Sequence, residues 1–134
     1  MNIPFRSLLA GAALACTLPA AAHHSFTMFD VQKQTTLTGT VKEFQWSNPH
    51  CWIQLMVDEE GGQQAEWSVE LASPRVIFEG GWKPGSVKPG DKVTITMHPL
   101  KDGSKGGSLM FALGPDGQRI GKAASAAPAA AVKP

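Results

Sequence analysis

Three short runs of alternating apolar and polar residues, one two-turn helix signal and two further alternating runs constrain this chain more than any other feature. Alternation with a period of two puts one set of side chains on a buried face and the other on a wet or functional face, so each run predicts a strand. The first, residues 36–46, alternates Leu37, Gly39 and Val41 with polar residues and continues into Phe44 and Trp46, after which Ser47-Asn48-Pro49 supplies turn chemistry. The second, residues 51–57, sets Cys51, Ile53, Leu55 and Val57 against Trp52, Gln54 and Met56, and Asp58-Glu59-Glu60-Gly61-Gly62 closes a hairpin. In the third, residues 65–71, Trp67 and Val69 share one face, while Glu66, Ser68 and Glu70 share a face expected to be solvated.

Ser73-Pro74 pairs a helix cap with proline at the first helical position, and Gly80-Gly81 stops the helix two turns later. Val87-Lys88-Pro89-Gly90-Asp91 then launches a fourth strand, residues 92–98, with Val93, Ile95 and Met97 on one face and Pro99 at its end. Residues 108–113 and 118–120, joined through Pro115-Asp116-Gly117, complete a fifth. Three strands, a short helix and two strands is the order of an all-β, five-stranded, OB-like Greek-key barrel, with the helix between strands three and four plugging one end. An immunoglobulin-like sandwich wants about seven strands and no helix at that point. OB barrels bind through the loops joining strands one to two and four to five, which places function at those loops.

Residues 1–22 carry Arg6, an apolar run from Leu8 to Leu18 and the small residues Ala20-Ala21-Ala22, the three-part layout of a secretory signal peptide. The apolar run is shorter than the roughly 20 residues that span a bilayer, and no later segment qualifies. Export to the periplasm and a cut before His23 are expected; Cys16 lacks the leucine three residues ahead of it that lipoprotein processing would use. Removing the signal leaves 112 of the 134 residues, enough for one domain: an arm over 23–35, a barrel over 36–121 and an Ala/Pro-rich tail over 122–134 with no amphipathic period, expected to be disordered. Acidic and basic residues then balance, which excludes the basic footprint of a nucleic-acid binder. Cys51 is left without a disulfide partner, and its apolar run makes it a buried small hydrophobe rather than a reactive thiol.

Four histidines carry the chemistry. His23 and His24 would stand beside a free amine at the new terminus, His50 follows the Asn48-Pro49 turn, and His98 ends the fourth strand. On the expected barrel His50 and His98 share one mouth, and an extended arm of a dozen residues has a reach of roughly 40 Å, enough to fold back to it. Imidazoles and an amine suit late first-row metals, among which copper(II) binds a nitrogen site of given geometry most tightly; copper is the favoured ion and zinc the second. Two arrangements stay open: a brace of the His23 amine and ring with a further histidine, or a planar chelate through His24 that does not need the fold. Met28 and Met97 are better read as core filling than as soft copper donors.

The rival is a non-metal OB-like adaptor holding an organic ligand or an envelope protein partner at a surface of Trp46, Trp52 and Trp82. A purely structural envelope protein is a third. No catalytic residue is assigned, because the chain has no nucleophile elbow, phosphate loop or paired-acid constellation; binding is expected rather than catalysis, and an oxidative copper enzyme follows only if the brace forms.

His23-His24-Ser25-Phe26 with Met28-Phe29-Asp30, then Leu37-Thr38-Gly39-Thr40-Val41 and Phe44-Gln45-Trp46-Ser47-Asn48-Pro49-His50, resemble an exported bacterial family catalogued as domain of unknown function 6152. Trp67-Ser68-Val69-Glu70-Leu71, Ser73-Pro74, Gly81-Trp82, Lys88-Pro89-Gly90-Asp91 and His98-Pro99 extend the resemblance over nearly the whole mature domain. It implies export and a small β-rich domain, but no activity.

Overall fold

Each alternating run forms a strand. A computed structural model describes residues 26–122, with β1 at Thr35–Gln45, β2 at Trp52–Asp58, β3 at Gln64–Glu70, α1 at Pro74–Glu79, β4 at Lys92–Pro99 and β5 at Gly106–Leu113. The expected signal peptide over 1–22, His23, His24 and the tail beyond Lys122 lie outside these residues. The strands close into one barrel in the order β1-β2-β3-β5-β4, with β1 returning to pair with β4. All pairs are antiparallel except β3 with β5, which is the Greek-key signature of the OB-like fold.

Closure makes β1 serve two neighbours. Its first half, Thr35 to Thr40, pairs with β4, and its second half, Thr40 to Gln45, pairs with β2. A bulge eases the turn between them: Val41 faces Leu55 and Glu43 faces Gln54, leaving Lys42 as the extra residue. The bulge also switches the inward phase from Leu37, Gly39 and Val41 to Phe44, which pairs with Ile53. Inside, Val41, Ile53, Leu55, Val69, Leu71, Val93, Ile95, Met97 and Leu109 form the core, nearly all of them excluded from solvent.

The helix lies where the sequence places it. Pro74 occupies its first turn, the Ile77 N–H donates to the Ser73 carbonyl, and Gly81, with φ of 91°, takes the left-handed conformation that ends it. Ile77 and Trp82 are fully buried, and the Trp82 ring packs on Phe44 at a centroid distance of 6.0 Å, so this segment caps the barrel beside the start of β2. After β5 the chain folds back: Gly114 N–H donates to Gln118 O, Ile120 N–H to Ala112 O, and Lys122 N–H to Gly80 O. The expected return at 118–120 is therefore present as an isolated bridge, Leu113 to Arg119, rather than as more strand.

Candidate functional site

The loop from β1 to β2 is pinned to the end of β3. Cys51 N–H donates to Ala72 O at 3.2 Å, Leu71 N–H to Cys51 O at 2.9 Å, and the Ser47 hydroxyl to His50 O at 3.0 Å, around a cis Asn48–Pro49 bond. These bonds bring His50 alongside Glu70, and its Nδ1 pairs with Glu70 Oε1. Glu70 shares the outer face of β3 with Glu66 and Ser68, as the alternation requires, yet it is only 3% exposed. The face expected to be solvated is thus wet at one end, where Glu66 meets Lys42 at 2.6 Å, and covered at the other. Reading Glu70 as surface is corrected by this burial: a carboxylate withdrawn from water requires a partner, and His50 is one.

The register extends the site across four strands. Trp52 faces Glu70, Glu70 faces Ser108, and Ser108 faces His98. Residues directly opposite each other share a face, so a row of Trp52, Glu70, Ser108 and His98 crosses the outer wall. Ser108 is fully buried and His98 is 8% exposed. Glu70 and His98 stand two strand spacings apart, about 10 Å between backbones. Of the two histidines expected at one mouth, His98 therefore lies in this row and His50 meets it from the loop through Glu70; Glu70 and Ser108 were not singled out by the sequence.

The arm covers the His98 end of this row. Phe29, 4% exposed, bridges to Leu100, Asp30 N–H donates to Pro99 O at 2.9 Å, and Lys101 N–H donates to Met28 O at 2.9 Å. A tight turn follows in which Lys33 N–H donates to Asp30 O and Lys33 Nζ lies 3.2 Å from the Asp30 carboxylate; that hydrogen bond holds the Asp30 carboxyl below its ordinary range. The turn presents the Lys33 carbonyl to His98 Nδ1 at 2.9 Å. A carbonyl only accepts, so His98 carries its proton on Nδ1. An oxygen of the Glu70 side chain likewise accepts, with Nδ1 of His50 as the donor. In the neutral form both rings thus keep their lone pair on Nε2.

Among the described residues no three His, Cys, Asp or Glu side chains converge closely enough to hold a metal ion. Of the four candidate ligands the structure describes His50 and His98 and brings them to one wall; His23 and His24 fall outside the described residues. The three tryptophans separate. Trp82 is enclosed in the core, so it presents no surface to a ligand, contrary to its expected place on a binding surface with Trp46 and Trp52. Trp46 is half-buried edge-on against Phe44 at 5.8 Å, and Trp52, also half-buried, stands beside Glu70 on the wall.

Cys51 is fully buried with Sγ 3.8 Å from Ser47 O, and burial pushes its thiol up, opposed only in part by that contact. In a chain beginning at His23 it is the sole thiol, and an aromatic disulfide reagent at pH 8 should leave it unmodified until urea unfolds the protein. Rapid reaction of the folded chain would show an accessible thiolate instead. Because the folded pKa exceeds the unfolded one, the unfolded chain binds fewer protons once pH passes its ordinary value of 9.0. Stability should accordingly fall through that range, and Cys51→Ala should flatten the fall.

A small closed five-stranded barrel, carrying on its wall a buried Glu70 paired with a half-buried His50, is an all-β domain of the OB-like type. The chain belongs to the family of unknown function DUF6152, whose sequence pattern matches residues 12–110. No curated protein and no solved structure matches it.

Proposed function

We propose that this protein is an exported, periplasmic barrel that binds a transition-metal ion, copper before zinc, through His50 and His98 on the wall and His23 and His24 at the start of the mature chain. The observation that supports this most is the shared arrangement of the two imidazoles: each gives its Nδ1–H to an oxygen acceptor, Glu70 for His50 and Lys33 O for His98. Histidine ligands to metals are ordinarily held this way, since the acceptor fixes the tautomer and raises the basicity of the other nitrogen.

The arm supplies the missing donors within reach. Phe29 is anchored next to the end of β4, and His24 precedes it by five residues, a contour of at most about 18 Å. That exceeds the spacing between the His98 and Glu70 backbones. The row on the wall and the terminal amine can then share one ion, as a brace requires. No helix among the described residues is long and apolar enough to cross a membrane.

Calorimetric titration of copper(II) and zinc(II) into a chain beginning at His23 tests this. One-to-one binding is expected, lost in a His50→Ala/His98→Ala double variant whose circular dichroism is unchanged. Glu70→Gln should weaken it about 10- to 100-fold, the usual effect of removing an outer-shell partner. Binding indifferent to all three changes, or retained in full by a peptide of residues 23–35, would reduce the site to a terminal chelate. Absence of binding would leave the adaptor, which Trp46 and Trp52 still serve.

A further inference from the structure

The helix that caps the barrel turns most of its own surface to water. Successive helical residues are about 100° apart, so six of them can place one side chain inward and leave a broad face outward. In α1 the inward residue is Ile77, the one buried residue of the helix, and Arg75, Val76, Phe78 and Glu79 are all exposed. Phe78 is 60% exposed and Val76 51%; with Met28 they are the large hydrophobic side chains that the described residues leave in solvent. A single exposed apolar residue is ordinary, but two on one helical turn make a patch that contact with a partner would cover.

The charges on the same face say which partner fits. Around the helix Arg75 and Glu79 fall about 40° apart in the middle of the outer face, with Phe78 about 60° to one side and Val76 about 60° to the other. Arg75 Nε lies 3.1 Å from Glu79 Oε1, so the face carries one positive and one negative group a turn apart and no net charge. A partner of one sign would gain one attraction and suffer one repulsion. A second copy of the chain does better. Rotated about a two-fold axis that crosses the helix in the plane of contact, it runs antiparallel and sets Arg75 of each copy against Glu79 of the other. The same rotation keeps each flank on its own side, so Phe78 meets Phe78 and Val76 meets Val76.

We propose that two copies of this chain associate through the outer faces of α1, antiparallel about a two-fold axis, with Phe78 and Val76 in contact and Arg75 and Glu79 crossed between the copies. A face one short helix wide is smaller than the roughly 800 Å² per partner of a stable interface, so the dimer is a weak one, with a dissociation constant of about 0.1 to 1 mM. Contact between the two Phe78 rings supplies most of the affinity, because exposed ion pairs contribute little. The crossed charges fix the orientation. The face uses neither His50 nor His98, and the dimer does not depend on metal binding.

Sedimentation velocity of the metal-free chain beginning at His23, at low salt and over about 0.01 to 1 mM, should show a monomer passing into a dimer as concentration rises. Phe78→Ser should stay monomeric throughout. Arg75→Glu alone, or Glu79→Arg alone, should weaken association about tenfold, since each sets like charges face to face. An equimolar mixture of those two variants restores opposite charges across the contact, as does the double reversal Arg75→Glu/Glu79→Arg, and both should return to the parental affinity. Arg75, Phe78 and Glu79 are exposed, so the variants should keep the parental circular dichroism. A monomer at every concentration, a dimer that survives Phe78→Ser, or single reversals as tight as the parent would overturn the proposal. Monomeric protein that instead sediments with phosphatidylglycerol vesicles, and no longer does so as Phe78→Ser, would give the face to a membrane surface and overturn it too.

Discussion

Replacing Trp82 by alanine is expected to cost about 3 to 5 kcal/mol of folding stability, the usual loss when a buried aromatic is truncated in a core. The side chain has no exposure, its ring lies on Phe44, and its indole N–H points to Lys122 O at 3.4 Å. Gly121 closes over it so tightly that a Cβ there would come within 2.6 Å of the ring. The loss has two parts, the apolar surface returned to water and a cavity that the strands around it are too constrained to fill. Urea unfolding followed by circular dichroism measures it, and Trp82→Phe should lose distinctly less. A loss below about 1 kcal/mol would mean that the indole does not hold the capped end of the barrel together.

Gly39→Ala is expected to destabilise by about 1 to 3 kcal/mol, and Gly39→Val by more. Gly39 lies where β1 passes from one partner to the other: it pairs with Val93, and the next residue, Thr40, pairs with both Lys92 and Met56. A Cβ at this point would stand 2.6 Å from the Met56 carbonyl oxygen and 2.8 Å from Leu55 Cγ. Neither neighbour yields easily, because one is backbone in a ladder and the other is a fully buried side chain. The strand can relieve the contact only by opening its pairing with β2 where the barrel closes. Gly85 is the control, since nothing lies within 4 Å of the point a methyl group would occupy there, and Gly85→Ala should stay within about 0.5 kcal/mol of the parent. Equal effects at the two sites would show that barrel closure does not depend on the close approach at Gly39.

The two parts of the site differ in how far the amino-acid order reveals them. His50 and His98 stand out because imidazoles are rare in this chain and each borders a strand next to proline. Glu70 does not stand out, for its neighbours Val69 and Leu71 make it look like any outward residue of a half-buried strand. What covers it comes from elsewhere, the loop carrying His50 and the neighbouring strand carrying Ser108. Trp82 misleads in the opposite way. It follows a glycine turn and precedes Lys83-Pro84-Gly85, a polar setting that suggests surface, whereas the turn after α1 directs the ring inward onto Phe44.

Strand identity, strand order and the helix between β3 and β4 follow from the chain alone, because a period of two, a Ser-Pro helix start and glycine stops act over a few residues and are written in neighbouring positions. The row of Trp52, Glu70, Ser108 and His98 depends on register between strands far apart in sequence, and here counting fails. Bulges leave Lys42 extra in β1 and, where pairing jumps from Thr96–Phe111 to Met97–Leu109, Met110 extra in β5. Each inserts one residue and exchanges the inward and outward sets beyond it. Which carboxylate is buried, which imidazole it holds and which end of the barrel stays open were decided only when the sheet closed on itself, since closure fixes every register at once.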